Sequence, residues 1–359
     1  MKWVLALCLW LGLAQGNGVR GQDTLRLSSD LILPAERFGR VVGVATDAAG
    51  RLFVADNASH QIYLFDAQGH ALDTLGGPGE GPGEFKMGLW GIAYEPATAV
   101  LYAFETVSNR LHAWKLHPEV RFLDTRTLTA PSAPMAGLLE IWAWGPDTLI
   151  VRLLSIQKSG QLSQALWMYQ WSSQQLSRLF SLPHSATGNT GVTAELLPFM
   201  ARALVAVHPS IGIATLWTDS LVVRLYDLAG RQRSNRSLPL TYRAPISQED
   251  WEQAIAQVRR LAPPGFPLKL PERSQYTHWP YVNALLLDDR GRIWVRIEQG
   301  SLPQAPRQTT IYWAEELGFI ALDGDVTLKT IHHGRAWGIQ TDPDGLTSVV
   351  RYRLPAGQN

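Results

Sequence analysis

Short runs of β-branched and aromatic residues, separated by turn residues, follow one another along most of this chain. Two stretches of this pattern align closely with each other, residues 43–66 and residues 91–114, and the second begins 48 residues after the first. Runs of this length and composition are typical of β-strands joined by tight turns. The pattern therefore predicts a repeated antiparallel unit of four strands.

Weaker copies of the repeat continue towards the C-terminus, and we predict a third, fourth and fifth unit and part of a sixth. The expected strands are Ile141–Trp144, Leu149–Leu153, Trp167–Trp171 and Leu176–Leu182; Ala203–His208, Ile213–Trp217, Val222–Asp227 and Ser237–Arg243; Asn283–Asp289, Ile293–Ile297, Leu317–Asp323 and Val326–Ile331; and Gly338–Asp342 with Val349–Leu354. Because one such sheet cannot bury its own faces, the units are expected to stack around an axis. The predicted fold class is all-β, a six-bladed β-propeller of four-stranded antiparallel blades.

Only part of the sixth unit is recognisable near the C-terminus. We therefore predict that the other end of the chain completes it. Closing a ring of blades normally takes a strand from the opposite terminus. Thr24–Leu33 is strand-like and precedes the first unit. We expect it to become the outer strand of the last blade.

One segment breaks the strand pattern with apolar residues at helical spacing, namely Trp251, Ile255, Val258 and Leu261. Ser247 and Asp250 are spaced as a capping box, which favours a helix start at this point. We predict a helix from Gln248 to Arg260 inside a helical and proline-rich insertion, residues 244–282, between blades four and five. The helix is expected either on the side or rim of the ring or as a lid over one mouth of its channel.

Parts of the chain resemble a known family of propellers. The glycine- and proline-rich Leu75–Phe85, which leads into Gly91, resembles the loop between blades of NHL-repeat propellers, and Val54–Asn57 resembles the second strand of that repeat. The whole chain also resembles uncharacterised exported bacterial six-bladed propellers, in which a helical and proline-rich stretch precedes a segment like Leu287–Val295. This resemblance implies the fold and export, and it implies no activity.

The N-terminal residues have the pattern of an export signal. Met1–Gly16 combines a charged start, the apolar run Trp3–Leu13 and small residues at its end. The run is too short to span a bilayer, so we expect cleavage after Gly16 and a single propeller domain over residues 17–359, in the periplasm or outside the cell. Cys8 is the only cysteine, so the mature chain is expected to have neither a disulfide nor a thiolate nucleophile.

Charge gives no argument for a strongly acidic or basic partner. The chain has 32 Lys and Arg, one of them Lys2 in the signal, against 31 Asp and Glu. A balanced charge does not favour binding to nucleic acid or to an anionic membrane surface. We therefore expect no nucleic-acid partner, no membrane insertion after signal cleavage, and a monomer.

No arrangement of catalytic residues stands out. The nine histidines show no pair at ligand spacing, and the adjacent His332 and His333 would point to opposite faces of a strand. Glu80 resembles the metal-binding glutamate segment of propeller lactonases, but the other carboxylates near strand ends repeat as turn residues do: Asp47, Asp56 and Glu105. The sequence thus predicts no catalytic residue, no metal ligand and no cofactor.

Position in the fold predicts a ligand site better than any motif. Loops that precede the inner strands of a propeller line one mouth of its channel, and loops on a rigid scaffold commonly bind ligands. The residues expected there are Arg40, Trp90, Trp142, Arg202, Tyr281 and Arg335. Basic and aromatic side chains suit an anionic ligand, a carbohydrate or the acidic end of a peptide, although the same side chains also serve to cap strands and pack together.

Three classes of function remain open at this point. The preferred one is an exported, non-catalytic propeller that binds a protein, peptide or glycan ligand at one face of the ring. The alternative is a metal-dependent hydrolase or lyase, lactonase-like or amidating-lyase-like, with calcium or zinc at the central channel; it requires three or more His, Asp, Glu or Asn side chains that converge. A structural part of a surface assembly is the third, and it would show a large exposed apolar patch.

Overall fold

The computed structural model describes residues 24–129, 135–156, 162–184, 197–241, 243–261, 270, 272–298 and 309–355. These residues form six sheets, each a blade of four antiparallel strands, and one blade carries an additional strand. Two strands precede the first blade, β1 (Leu25–Leu27) and β2 (Ser29–Leu33). The predicted signal, Met1–Gly16, lies outside the described residues.

The strands of the first three blades are consecutive in sequence. Blade one consists of β3 (Val41–Thr46), β4 (Leu52–Asp56), β5 (Gln61–Phe65) and β6 (Ala71–Gly76). Blade two consists of β7 (Gly91–Glu95), β8 (Val100–Phe104), β9 (Arg110–Lys115) and β10 (Arg121–Thr127). Blade three consists of β11 (Met135–Gly145), β12 (Thr148–Ile156), β13 (Leu162–Gln170) and β14 (Leu176–Leu182).

The last three blades complete the ring. Blade four consists of β15 (Ala203–His208), β16 (Gly212–Trp217), β17 (Val222–Tyr226) and β18 (Gln232–Ser237). Blade five consists of β19 (Val282–Leu287), β20 (Ile293–Ile297), β21 (Thr309–Ala314) and β22 (Gly318–Asp323), with β1 at its edge. Blade six consists of β23 (Asp325–His332), β24 (Arg335–Thr341), β25 (Thr347–Arg353) and β2.

The first strand of each blade lies innermost, because these strands contact one another in order around the axis: β3, β7, β11, β15, β19 and β23, which contacts β3 again. We call the end of the ring where these inner strands begin the upper face, and the end where they finish the lower face. All of β4 is buried, whereas most of β6 is exposed. The core therefore lies between neighbouring blades, and Phe85 fills the interface of blades one and two as a fully buried side chain.

A single type of turn recurs four times on the lower face and once, at Asp342, on the upper face, and it explains part of the repeat. An aspartate accepts a hydrogen bond through Oδ1 from the N–H four residues later, at 2.8 to 2.9 Å, and a glycine stands between them with φ of 73 to 87°. The aspartates are Asp47, Asp66, Asp227, Asp288 and Asp342. Glycine is favoured because a left-handed residue with a Cβ costs about 1–2 kcal/mol.

Two of these turns provide a matched pair of substitutions. A Cβ at Gly291 would lie 2.2 Å from Cδ1 of Ile211, whereas a Cβ at Gly345 would meet nothing within 4 Å. We expect Gly345→Ala to lower the free energy of unfolding by about 1 kcal/mol, through backbone strain alone, and Gly291→Ala by about 3 kcal/mol because overpacking is added. Urea denaturation measures both values, and equal losses would contradict this account of the turn.

The boundary between the last two blades differs from the sequence prediction. Thr309–Ala314 is the third strand of blade five, which the pattern did not reveal, and Val326–Ile331, assigned there, lies within the inner strand of blade six. Only Gly324 separates β22 from β23. Asp323-Gly324-Asp325 has the composition of a hairpin turn within one sheet. In the structure this segment instead connects the outer strand of blade five to the inner strand of blade six, which the sequence did not indicate.

The N-terminal segment is divided between two blades. β2 pairs antiparallel with β25, with Leu33 opposite Val349, and forms the outer strand of blade six as predicted. β1, which was expected to continue the same strand, instead pairs parallel with β22 of blade five. Asp30 and Arg351 join the N-terminal and C-terminal strands through a 2.7 Å hydrogen-bonded ion pair.

The predicted helix is present as α1 (Gln248–Leu261). Its capping box is complete, because the N–H of Asp250 donates to Oγ of Ser247 at 3.0 Å and the N–H of Ser247 donates to Oδ2 of Asp250 at 2.9 Å. Its apolar side packs on residues 197–200, and Trp251 stacks on Phe199 with 5.3 Å between ring centroids. Since residues 197–200 lead into β15, the helix lies on the upper face.

No helix in the part of the chain that the structure describes is long and apolar enough to cross a membrane.

Candidate functional site

The six predicted site residues do not share one mouth of the channel. Arg40, Trp90, Arg202 and Tyr281 stand immediately before the inner strands of blades one, two, four and five, on the upper face as predicted. Trp142 and Arg335 do not, and each has a specific structural reason.

Trp142 belongs to the core between blades three and four. The inner strand of blade three has eleven residues and begins at Met135, so Trp142 lies well inside it rather than before it. Its side chain packs against a cluster that includes Ile150, Leu166 and Val205. The predicted strand, Ile141–Trp144, is shorter than the observed one. The prediction therefore placed Trp142 at the mouth of the channel, which is wrong.

Arg335 lies on the opposite face of the ring. It begins β24, the second strand of blade six, and pairs with His332 at the end of the inner strand. The error follows from the shifted blade boundary: the prediction leaves open which strands of the sixth blade Gly338–Asp342 and Val349–Leu354 are, and the strand that Arg335 begins is the second of the blade. Trp337, two residues later, is 2 % exposed and stays in the core.

Four exposed side chains lie on the upper-face loops of blades one and two, and we call them together the upper patch: Arg40, Met87, Trp90 and Val107. The Cζ atom of Arg40 lies 5.7 Å from the ring centroid of Trp90, within range of a cation–π interaction. Met87, Trp90 and Val107 are 45, 41 and 61 % exposed. Large apolar side chains are thus presented to solvent beside a guanidinium group.

The loops that carry the upper patch are held by buried carboxylates at the upper ends of the second strands. Asp56 accepts hydrogen bonds from the N–H groups of Gly39 and Arg40, at 3.0 and 2.6 Å. The amide of Asn57 donates to the carbonyl of Leu89 at 2.6 Å and so ties blade one to the loop before blade two. These carboxylates therefore act as structural anchors, in agreement with the prediction that they repeat as turn residues.

Glu105 performs the corresponding role in blade two and is fully buried. Its Oε2 accepts from the N–H of Met87 at 2.8 Å and from the hydroxyl of Ser108 at 2.9 Å, while Oε1 lies 2.9 Å from Nε2 of the buried His112. Burial acts to raise the pKa of Glu105, but the hydrogen bonds from His112, Met87 and Ser108 outweigh it and hold the pKa below its ordinary value. Glu105 thus holds both the loop of Met87 and the turn that contains Val107, through Met87 itself and through Ser108.

The other two upper-face residues lie apart from the upper patch. Arg202 lines a cleft of about 180 Å³ whose wall also includes Arg152, Gln164 and Leu197. Tyr281 is half-buried, with the guanidinium carbon of Arg243 at 5.1 Å from its ring centroid. Ligand binding by these residues stays a prediction.

A second group of candidate side chains lies on the lower face, and the sequence did not reveal it. Asp289 in the β19–β20 turn and His332 and His333 at the β23–β24 turn place potential metal-ligand atoms within 4.8 Å of one another. His333 has φ of 51°, so the strand alternation fails there and the two imidazole rings lie 3.9 Å apart. Burial lowers the pKa of His332, the neighbouring His333 acts in the same direction, and Asp289 opposes both.

Glu80 has no such surroundings. Its Oε1 lies 2.8 Å from Nζ of Lys86, and both side chains are largely exposed. Among the described residues, three potential ligands converge in the lower-face group, and Glu80 is not one of them. The lactonase-like glutamate is therefore better explained as half of a surface ion pair.

Comparison with known proteins supports the fold. Residues 39–96 match a family described as "6-bladed beta-propeller". A predicted exported protein from Bacteroides fragilis superposes with a TM-score of 0.50 at 10% identity, over 93% of this chain and 99% of that one. A curated-protein search found no match.

Two structures of named proteins also superpose. Virginiamycin B lyase from Staphylococcus aureus does so with a TM-score of 0.47 at 10% identity, over 90% of this chain and 98% of that one. Regucalcin from Agrobacterium tumefaciens, described as a calcium-binding protein, has a TM-score of 0.48 at 7% identity, over 94% of this chain and 100% of that one. Likeness at this level carries no argument about chemistry. The chain is a six-bladed β-propeller, and its fold is similar to that of the exported protein from Bacteroides fragilis.

Proposed function

We propose that this chain is an exported, non-catalytic propeller that binds an acidic peptide segment of a partner protein through the upper patch. The observation that carries the proposal is the exposed Arg40–Trp90 pair, flanked by the exposed Met87 and Val107 on anchored loops. Trp, Met and Arg are enriched where proteins bind one another, and Trp and Arg dominate binding energy there.

The chemistry of the patch favours a ligand with a carboxylate next to apolar groups. Within the described part of the chain, no carboxylate forms an ion pair with the guanidinium of Arg40, which leaves its donors available for a bidentate contact. The ring of Trp90 and the side chains of Met87 and Val107 offer apolar area at the same place. The anchoring bonds of Asp56 and Glu105 fix the loops before binding, which lowers the entropy that association costs.

The proposal is tested by selecting ligands and mapping them. The mature chain is used to select from a displayed peptide library and is applied to a glycan array, and affinities of the selected ligands are measured by calorimetry. We expect acidic peptides with aromatic or aliphatic residues, and at least a tenfold loss of affinity in Arg40→Ala and Trp90→Ala. Arg335→Ala, a change of the same type on the lower face, should bind as the wild type does.

Other results would be decisive against the proposal. Selection of glycans alone would replace a peptide with a carbohydrate as the ligand. Ligands that bind both upper-patch variants and the wild type equally would move the site elsewhere on the ring.

A metal-dependent hydrolase or lyase stays the second candidate function. The observation that favours it is the group of Asp289, His332 and His333, which supplies the three converging side chains that such an enzyme requires. Lactones, esters and amidated peptides are the substrates to screen with metal-loaded protein, and loss of any turnover in His332→Gln would support it.

A further inference from the structure

We propose that Asp289, His332 and His333 bind one divalent ion of the zinc class on the lower face, and that the ion joins blade five to blade six. This inference is independent of ligand binding at the upper patch. The three side chains come from two turns on adjacent blades, and their potential ligand atoms lie within 4.8 Å of one another.

The two histidines reach one place because of the local backbone. His332 is the last residue of β23, and His333 follows it with φ of 51°. A left-handed residue reverses the side-chain direction that a continuing strand would give. Two adjacent imidazoles can then serve one ion, an arrangement that an extended strand does not allow.

One hydrogen-bonding observation points to a ligand, and a second shows how the carboxylate is oriented. Nδ1 of His332 is buried and has no hydrogen-bond partner among the described residues, and such a group normally finds one. Oδ2 of Asp289 accepts the main-chain N–H of His333 at 2.7 Å, which orients the carboxylate as supporting hydrogen bonds do in metal sites.

The turn that carries Asp289 is rigid. Oδ2 of the fully buried Asp288 accepts from Nε of Arg292 at 2.7 Å and from Nε1 of Trp294 at 3.0 Å, and Oδ1 accepts from two main-chain N–H groups. Its neighbour Asp289 is thus held at the blade boundary by contacts that do not involve the histidines.

The donor set selects the ion. Two imidazoles and one carboxylate suit zinc, cobalt or nickel, whereas calcium and magnesium prefer oxygen donors alone. Tetrahedral zinc with bonds of about 2.1 Å places its ligand atoms about 3.4 Å apart, so atoms within 4.8 Å need only small side-chain rotations. A three-ligand site leaves one position for water. His208 is not a fourth ligand here, since its Nδ1 accepts the N–H of Ser210 at 3.3 Å.

The experiment titrates untagged, metal-free mature chain with Zn²⁺ by calorimetry and with Co²⁺ by visible absorption. We expect one ion per chain, a cobalt spectrum of a low-symmetry nitrogen and oxygen site, and a higher melting temperature with Zn²⁺. His332→Gln, His333→Asn and Asp289→Asn should each weaken binding at least tenfold. Asparagine is chosen at position 333 because it tolerates the left-handed backbone.

His70→Gln is the matched control, because His70 also lies in a lower-face turn and its Nδ1 is 2.9 Å from a carboxylate, that of Asp66. It should bind zinc as the wild type does. Absence of wild-type binding at micromolar Zn²⁺, an equal loss in His70→Gln, or binding of Ca²⁺ in preference to Zn²⁺ would each overturn the proposal. Circular dichroism of each apo variant separates loss of ligands from loss of fold.

Discussion

Replacement of Leu33 by aspartate is expected to lower the free energy of unfolding by about 4 kcal/mol and to open the ring. Leu33 is 2 % exposed and packs at the interface of blades six and one with Val41, Phe65 and Trp337. A carboxylate there would be buried without a partner, which is among the costliest single changes a protein can undergo. Loss of β2 would also leave β25 as an unpaired edge, which favours aggregation.

Ile32→Asp is the matched control for this prediction. Ile32 is the adjacent residue of the same strand, and its side chain is 51 % exposed. The same charge on the solvent side should change stability by no more than about 0.5 kcal/mol. Urea denaturation and light scattering measure both variants, and comparable losses in the two would show that β2 does not close the ring.

Replacement of Glu105 by alanine is expected to cost about 3–5 kcal/mol. The change leaves the buried His112, the N–H of Met87 and the hydroxyl of Ser108 without their acceptor, and breaking a buried polar network in this way is strongly destabilising. Glu80→Ala, which removes an exposed carboxylate paired with Lys86, should leave the free energy of unfolding nearly unchanged. Chemical denaturation at neutral pH compares the two.

Glu105 also predicts an acid dependence of stability. Its pKa in the folded chain is below the ordinary value of a glutamate, so its stabilising contribution is fully present above that ordinary value and is lost as the pH falls through the lower, folded-state pKa. Glu105→Gln cannot titrate, and its stability should therefore fall less steeply than that of the wild type as the pH falls through the acid range. Parallel acid profiles would contradict the role assigned to this carboxylate.

The elements that sequence reasoning predicted correctly are those with local chemical signatures. The helix follows from its spacing and from the Ser247–Asp250 capping box, both of which act within a few residues. The closing strand, β2, was predicted because the last blade was short of strands and a strand-like segment stood at the other end of the chain.

The features that were missed depend on contacts between distant parts of the chain. A residue's position along the axis depends on where its strand begins, and because β11 begins at Met135, Trp142 lies inside the strand and packs in the core. The lower-face group was missed because the left-handed backbone of His333 is not encoded by a glycine. Met87 and Val107 were missed because no pattern distinguishes an apolar residue that stays exposed from one that is buried.

The pairing of β2 with β25 also dictates when the ring can form during synthesis. Asp30 of β2 and its partner Arg351 are 321 positions apart, so at a ribosomal rate of about 5–20 residues per second β2 waits roughly 16 to 64 s for its pairing strand to be synthesised. During that interval β2 has no strand to pair with, while blades one to four can already fold from contiguous sequence. Folding of this chain should therefore be stepwise, with an open arc of blades as its long-lived intermediate and ring closure as the last event.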